Sequence, residues 1–242
     1  MHEWEVSVTR AREIQLSMAE KVVTQGEDIN PCLVAGIDIS SPNAQGVARG
    51  AIVVLSYPEF SITEVVVAEA KIAFPYIPGL LSFRESPLIL SACEKLNNTP
   101  DLMLVDGQGI AHPRRLGLAS HLGLFLDLPT IGCAKSILCG RHQPLAEEAG
   151  AHAELIDNGE LIGAALRTKS RVRPVYVSVG HKINLASALR LVMSCCRGYR
   201  IPEPTRLAHL AAGGSLIFDS DGHRTSLDSS LSFPLGKDGA VN

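Results

Sequence analysis

Apolar residues recur along this chain with two different periods. Over residues 10–24 they return every three to four positions, which predicts an amphipathic helix. Residues 33–39, 50–55 and 62–72 are instead rich in Val, Ile and Ala. The connections between them, 41–46 and 56–60, carry Pro, Asn, Gly and Ser. Three consecutive antiparallel strands are the natural reading. The helical period comes back over 82–97, and Pro100 closes it. Residues 102–105 (LMLV) form a continuous apolar run, as expected of a strand buried on both faces. A helix over 116–126 and a strand over 129–133 follow, and strand, helix, strand implies parallel crossovers. A hairpin is predicted from 161–168 and 175–179, and a helix over 186–198 with Gly198 as its stop. The run PEPTR at 202–206 reads as a break, with a short helix over 207–212. From Gly213 onward Gly, Ser and Asp dominate, which predicts a disordered, non-catalytic tail. The expected architecture is a single α/β domain over residues 1–212, a mixed sheet flanked by helices, with a tail over 213–242.

Composition agrees with a folded globular chain. Of 242 residues, 46% are hydrophobic and 19% charged, which excludes global disorder. No apolar run reaches the roughly 18–20 residues that span a bilayer. The charged N-terminus, MHEWEVSVTRAREIQ, lacks an apolar stretch, so a cytoplasmic protein without a membrane partner is expected. Six cysteines are scattered with no C-x-x-C pair, which predicts reduced, mostly buried thiols. The net charge of −3 argues against a purely electrostatic nucleic-acid binder but leaves room for a local basic groove. Arg167, Lys169, Arg171 and Arg173 fall at every second residue. On a strand they would share one face, serving either phosphate contact or a solvated edge.

Three acids stand out. Asp38 interrupts the apolar run VAGIDIS, and a carboxylate there is costly unless paired or metal-bound. Asp106 ends the strand LMLVD, and ligands gather at the carboxyl ends of strands in α/β sheets. Glu85 lies early in the helix that follows the third strand. Each acid alone is better explained as a turn cap or a helix-dipole partner than as a catalytic group. Two strand-end Asp residues in one mixed sheet point more strongly to a site. Convergent carboxylates suit magnesium, a hard cation that prefers oxygen. Lys135 and His209 are candidates to touch a phosphate or a metal-bound water, though surface or core roles fit either residue. In FPYIPG, Pro75 and Pro78 stiffen a loop that presents Tyr76 and Ile77, as a surface turn or as a wedge between bases. In DGQGIAHPRR, Gly107 and Gly109 permit close approach, while His112, Arg114 and Arg115 offer donors to phosphates.

Read together, these segments resemble the endonuclease V family. The matching pieces are GIDIS around Asp38, PYIPGLLSFRE at 75–85, VDGQGIAHPRRLGLASHLG at 105–123, PTIGCAKSILCG at 129–140 and GYRIPEPTRLAH at 198–209. The resemblance implies a ribonuclease H-like fold and hydrolysis, with magnesium or manganese, of the second phosphodiester bond 3′ of deoxyinosine. The product ends would be 3′-hydroxyl and 5′-phosphate. It further implies that Asp38 and Asp106 bind metal directly, Glu85 is the third acid, and Lys135 and His209 support catalysis. Tyr76 would be the wedge, and Gly79, Leu81 and Gly107 would line the pocket for an extruded base. One departure concerns Gln108, where the family usually has a His; Gln keeps hydrogen bonding but cannot titrate. The expected partner is deoxyinosine-containing DNA and the expected state a monomer. Preference for inosine in RNA, and non-catalytic binding of deaminated nucleic acid, are the alternatives.

Overall fold

The first strand runs where the apolar pattern puts it, and the sheet grows outward from it. The computed structural model describes residues 2–26, 28–218 and 224–227. Strand β1 (Leu33–Ile39) pairs antiparallel with β2 (Val47–Ser56), which pairs antiparallel with β3 (Ile62–Lys71). On its other side β1 is parallel to β4 (Leu102–Val105), and β4 is parallel to β5 (Thr130–Ala134). The sheet continues antiparallel through β8 (Val175–His181), β7 (Glu160–Leu166) and β6 (His152–Asp157). Its full order is β3-β2-β1-β4-β5-β8-β7-β6.

Strand alternation divides the core in two. Val34, Val53, Leu102 and Leu104 pack on α4 (Leu185–Ser194) and α5 (Glu203–Ala212). Ala35, Ile37, Val54 and Val105 pack on α2 (Leu81–Cys93) and α3 (Leu118–Leu126). The sheet is therefore covered on both faces, which is why its central strands read as continuous apolar runs. Helix α1 (Val8–Ala19) sits apart, packing Ala11 and Ile14 on Leu80 and Phe83. Among the described residues no helix is long and apolar enough to cross a membrane. All six cysteines are free thiols; Cys133 and Cys195 are buried, whereas Cys32 is exposed.

Several expectations are corrected. The sequence hairpin at 161–168 and 175–179 exists as β7 and β8, but β7 has a second partner, β6, which the pattern did not announce. PEPTR is no break: its prolines sit at the start of α5, where a missing N–H costs nothing. Arg167, Lys169, Arg171 and Arg173 do not share a strand face, because β7 stops at Leu166 and the chain turns. The Arg167 guanidinium donates to the Ala146 and Val172 carbonyls, and Arg171 pairs with Glu147. From Gly213 the chain is not wholly irregular: Leu216–Phe218 pairs antiparallel with Arg224–Leu227, and the rest of the expected tail lies outside the described residues.

Gly36 fixes the distance between β1 and α5. A Cβ there would stand 1.9 Å from the Pro204 carbonyl oxygen, so the helix backbone lies directly on the strand. Gly36→Ala must push α5 away, two residues from Asp38. We expect it to destabilise the protein by roughly 2–4 kcal/mol, as overpacking and backbone displacement do. Urea denaturation measures this, and an unchanged midpoint would contradict the packing.

Candidate active site

The site forms where two parallel strands end side by side. Ile37 pairs with Val105, and the Asp106 N–H donates to the Ile37 carbonyl at 3.0 Å. The next residue on each strand is an aspartate, and alternation turns both toward the α5 face. Their side chains keep only 10% and 11% of their surface for Asp38 and Asp106, so each negative charge needs a partner. Asp38 Oδ2 lies 2.6 Å from His209 Nδ1, delivered by α5. Asp106 Oδ2 forms an ion pair with Lys135 Nζ, delivered by the residue after β5.

Glu85 enters from α2. Its carboxyl is pushed up to about 8 by burial, with further repulsion from Asp38 and then Asp106, against a weaker pull from Arg84. Asp106 is also raised, by burial first and by Asp38, although Lys135 works against this. Burial alone would lower the Lys135 amine, but Asp106 and Asp38 outweigh it and hold the ammonium form. The Asp38 hydrogen bond raises His209 above its ordinary range. Three carboxyls that repel one another at a sheet edge make a donor set for a hard, oxygen-seeking cation. In this arrangement Asp38 and Asp106 face His209 and Lys135, and among the described residues no three such side chains stand at metal-ligand spacing.

Beside Asp106 lies a pocket of about 260 Å³. Gly79, Leu81 and Gly107 line it as expected, and Tyr76 stands at its mouth, 71% exposed. Ser136, Ile137 and Leu138 form another wall that the sequence reading did not single out; both apolar side chains remain 39% exposed. Exposed Ile and Leu next to a lysine at a strand end were the available signal. Gln108 also lines the pocket. Its Nε2 donates to the Ser136 carbonyl at 2.8 Å, while its buried Oε1 has no protein partner.

The loop bearing Tyr76 is anchored at both ends. Arg84 donates to the Phe74 carbonyl at 2.5 Å. The Gly79 carbonyl receives three donors: Gln15 at 3.1 Å, His112 at 2.9 Å and Arg114 at 2.6 Å. Gly79 itself has φ +78°, and a Cβ would stand 2.9 Å from the Arg114 guanidinium. Pro75 and Pro78 are exposed around the tip, while Ile77 packs on the Leu80–Phe83 cluster.

The three basic side chains expected to offer donors to phosphates have partners within the protein. His112 is buried; its Nδ1 accepts from the Arg114 N–H, so Nε2 carries the proton given to Gly79. Arg114 is held by Gln15 and Gly79, and Arg115 by Asp157, Glu160 and the His112 carbonyl. His112 and Arg114 fasten the loop that bears Tyr76 through the Gly79 carbonyl, whereas Arg115 ties to the β6–β7 turn through Asp157 and Glu160. Burial, opposed in part by Gly79, lowers His112 to about 4. Its folded value lies below the unfolded one, so the stability it contributes is full above about pH 6.5 and lost as pH falls toward 4. We expect roughly 3 kcal/mol of acid destabilisation from His112 over that window. Denaturation midpoints of wild type and His112→Gln between pH 7 and 4 check it; parallel curves would contradict it.

With this geometry in place, likeness to known proteins decides the family. The endonuclease V family profile matches residues 16–210. The chain is 54% identical over 212 residues to endonuclease V of Dehalococcoides mccartyi, covering 88% of this chain and 95% of that one. The chain belongs to the endonuclease V family. Its structure superposes on endonuclease V of Streptomyces avermitilis with a TM-score of 0.83 at 38% identity, covering 87% of this chain and 93% of that chain. It also superposes on Ciona intestinalis endonuclease V, solved with a 24mer DNA containing an inosine followed by a ribo-adenosine. There the TM-score is 0.74 at 28% identity, covering 86% and 96%. The mixed sheet is accordingly ribonuclease H-like, and this endonuclease V family member is an endonuclease.

Proposed function

We propose that this enzyme uses magnesium, with manganese as a substitute, to nick DNA at the second phosphodiester bond 3′ of deoxyinosine. The observation that carries the reading is the adjacency of Asp38 and Asp106 at two parallel strand ends, beside a base-sized pocket whose mouth holds an anchored, exposed Tyr76. Ciona endonuclease V, solved with inosine-containing DNA, supports the substrate class.

Each residue then has a task. Tyr76, exposed on a loop fixed at Phe74 and Gly79, pushes between stacked bases, and the displaced base enters the pocket walled by Gly79, Leu81 and Gly107. Asp38 and Asp106 would hold the metal directly, with Glu85 as the third acid. Magnesium, when bound, would activate water and neutralise charge on the phosphate. Lys135 places an ammonium group beside Asp106, where a phosphate oxygen would lie. His209 keeps Nδ1 on Asp38 and leaves Nε2 to exchange a proton. Water oxygen bonds to phosphorus, the bond from phosphorus to the 3′ oxygen breaks, and that oxygen takes the proton. The products carry 3′-hydroxyl and 5′-phosphate ends.

Sequencing-gel mapping of the cut on end-labelled DNA and RNA strands, each with one inosine, tests the reading. A cut one nucleotide beyond inosine in DNA supports it. Faster cutting of the RNA moves the function to inosine-containing RNA. Binding of both strands with no cut to either leaves only a binder. Tyr76→Ala is expected to weaken affinity for an inosine duplex about tenfold. It should affect an inosine single strand less, because no stack needs opening, and leave magnesium affinity unchanged. Fluorescence anisotropy measures this; unaltered duplex affinity would remove the wedge.

A further inference from the structure

Among the described residues, the large aromatic side chains that lie mostly in solvent are Tyr76, at 71%, and Tyr199, at 54%. Tyr76 belongs to the wedge loop. Tyr199 sits in the turn that leads into α5, outside the lining of the pocket. One face of its ring is covered by the Arg206 guanidinium, 4.6 Å from the ring centroid. Arg206 is itself held by two bonds to Glu203, at 2.7 Å and 2.6 Å. A tyrosine backed by a fixed cation keeps its other face for a flat partner.

Its attachment to α5 puts Tyr199 on the layer that delivers His209 to the acids. Glu203, Arg206 and His209 recur at every third residue of α5, so they are neighbours along one side of the helix. Arg206 therefore lies one turn from His209, whose ring bonds Asp38. The neighbouring Arg200 fastens the turn to the active-site edge by donating to the carbonyls of Lys135, at 2.6 Å, Pro174, at 2.7 Å, and Arg173, at 2.9 Å. The pocket and wedge loop, by contrast, belong to the α2 and α3 side of the sheet. The acids stand at the strand ends between these two layers.

We propose that Tyr199, backed by Arg206, is a stacking platform for a base on the 3′ side of the cut. This rests on the reading that the pocket holds a base 5′ of the cleaved bond. A strand with that base in the pocket and a phosphate at Asp38 and Asp106 continues over α5 and meets Tyr199. Stacking on an aromatic ring tolerates any sequence, so the platform registers strand continuation and not base identity. It gives the enzyme a second grip, on the opposite side of the chemistry from the wedge.

Two measurements test it on the full-length protein. First, 5-iodouracil is placed singly along an inosine oligonucleotide, the complex is irradiated in EDTA, and crosslinks are mapped by mass spectrometry. Crosslinks to Tyr199 from positions 3′ of the expected cut support the platform; crosslinks only from 5′ positions, or none at Tyr199, overturn it. Second, KM is measured as the strand is extended beyond the cut. The wild type should gain about tenfold on extension. Tyr199→Ala should lose that gain, with kcat on the extended strand retained, and Tyr199→Trp should restore it. A length dependence in Tyr199→Ala equal to wild type overturns the proposal. Wild type that fails to cut beside inosine would retire the lesion reading, while the crosslink map, made without cleavage, still decides Tyr199.

Discussion

Asp106→Ala is expected to lower cleavage of an inosine duplex by about 1,000-fold or more while affinity for that duplex stays within about threefold of wild type. The asymmetry follows from where Asp106 sits. It follows β4 and lies beside Asp38, and its carboxylate is the group that Lys135 pairs with. Removing it takes one of the two adjacent ligands from the proposed cation site and leaves the Lys135 ammonium without its ion-pair partner. The loop that bears Tyr76 is untouched, because its anchors are Arg84, Gln15, His112 and Arg114. Loss of a negative charge beside a phosphate path also does not oppose binding. Single-turnover cleavage and anisotropy, measured on the same preparation, separate the two effects. Wild-type cleavage by this variant would show that the acids have been misassigned.

Glu85→Gln is expected to move stability and activity in opposite directions. In the folded, metal-free protein the Glu85 carboxyl is held up to about 8, chiefly by burial, against 4.5 in the open chain. Between those values the folded state binds the extra proton, so stability falls as pH rises from about 4.5 to about 8. Gln cannot ionise and escapes the loss. In EDTA the variant should therefore gain on wild type as pH rises from 5 to 8, by on the order of 3–5 kcal/mol at most. Magnesium should reverse the order, because a bound cation stabilises the ionised carboxyl of wild type. Cleavage by the variant should fall about 10- to 100-fold, the range seen when a group supporting a metal site is lost. Urea denaturation at pH 5 and pH 8, with and without magnesium, measures the stability arm. Parallel pH dependence in the two proteins would mean that Glu85 is not the buried, charge-crowded acid described here.

Much of the fold is legible from period alone, and the reasons for the exceptions are physical. β1 and β4 are buried on both faces, so their apolar runs carry the full signal and their predicted limits hold. β6 is an edge strand with Leu155 as its buried residue, so half of its pattern is missing. PEPTR looked like a break because proline usually is one, yet a helix start tolerates it. The acids were readable because a carboxylate in an apolar strand is conspicuous, and strand adjacency brings Asp38 to Asp106. The basic residues were not. The sequence shows that His112, Arg114, Arg115 and Arg167 are donors but not whether their acceptors are phosphates or the protein's own carbonyls and carboxylates. Gln15 escaped notice for the converse reason. It lies 64 residues from Gly79 and 101 from Leu116, whose carbonyls it bonds, and no local pattern marks such a partner.

If Asp38, Glu85 and Asp106 cleave nucleic acid beside deoxyinosine with a bound divalent cation, as proposed, cutting must depend on both the lesion and the ion. The most direct measurement is a gel assay on two end-labelled DNA duplexes that differ in a single position, inosine or adenine, incubated with magnesium or with EDTA. One product is expected, from the inosine duplex with magnesium, ending one nucleotide 3′ of the lesion. Equal cutting of the adenine duplex, or cutting that persists in EDTA, would contradict it.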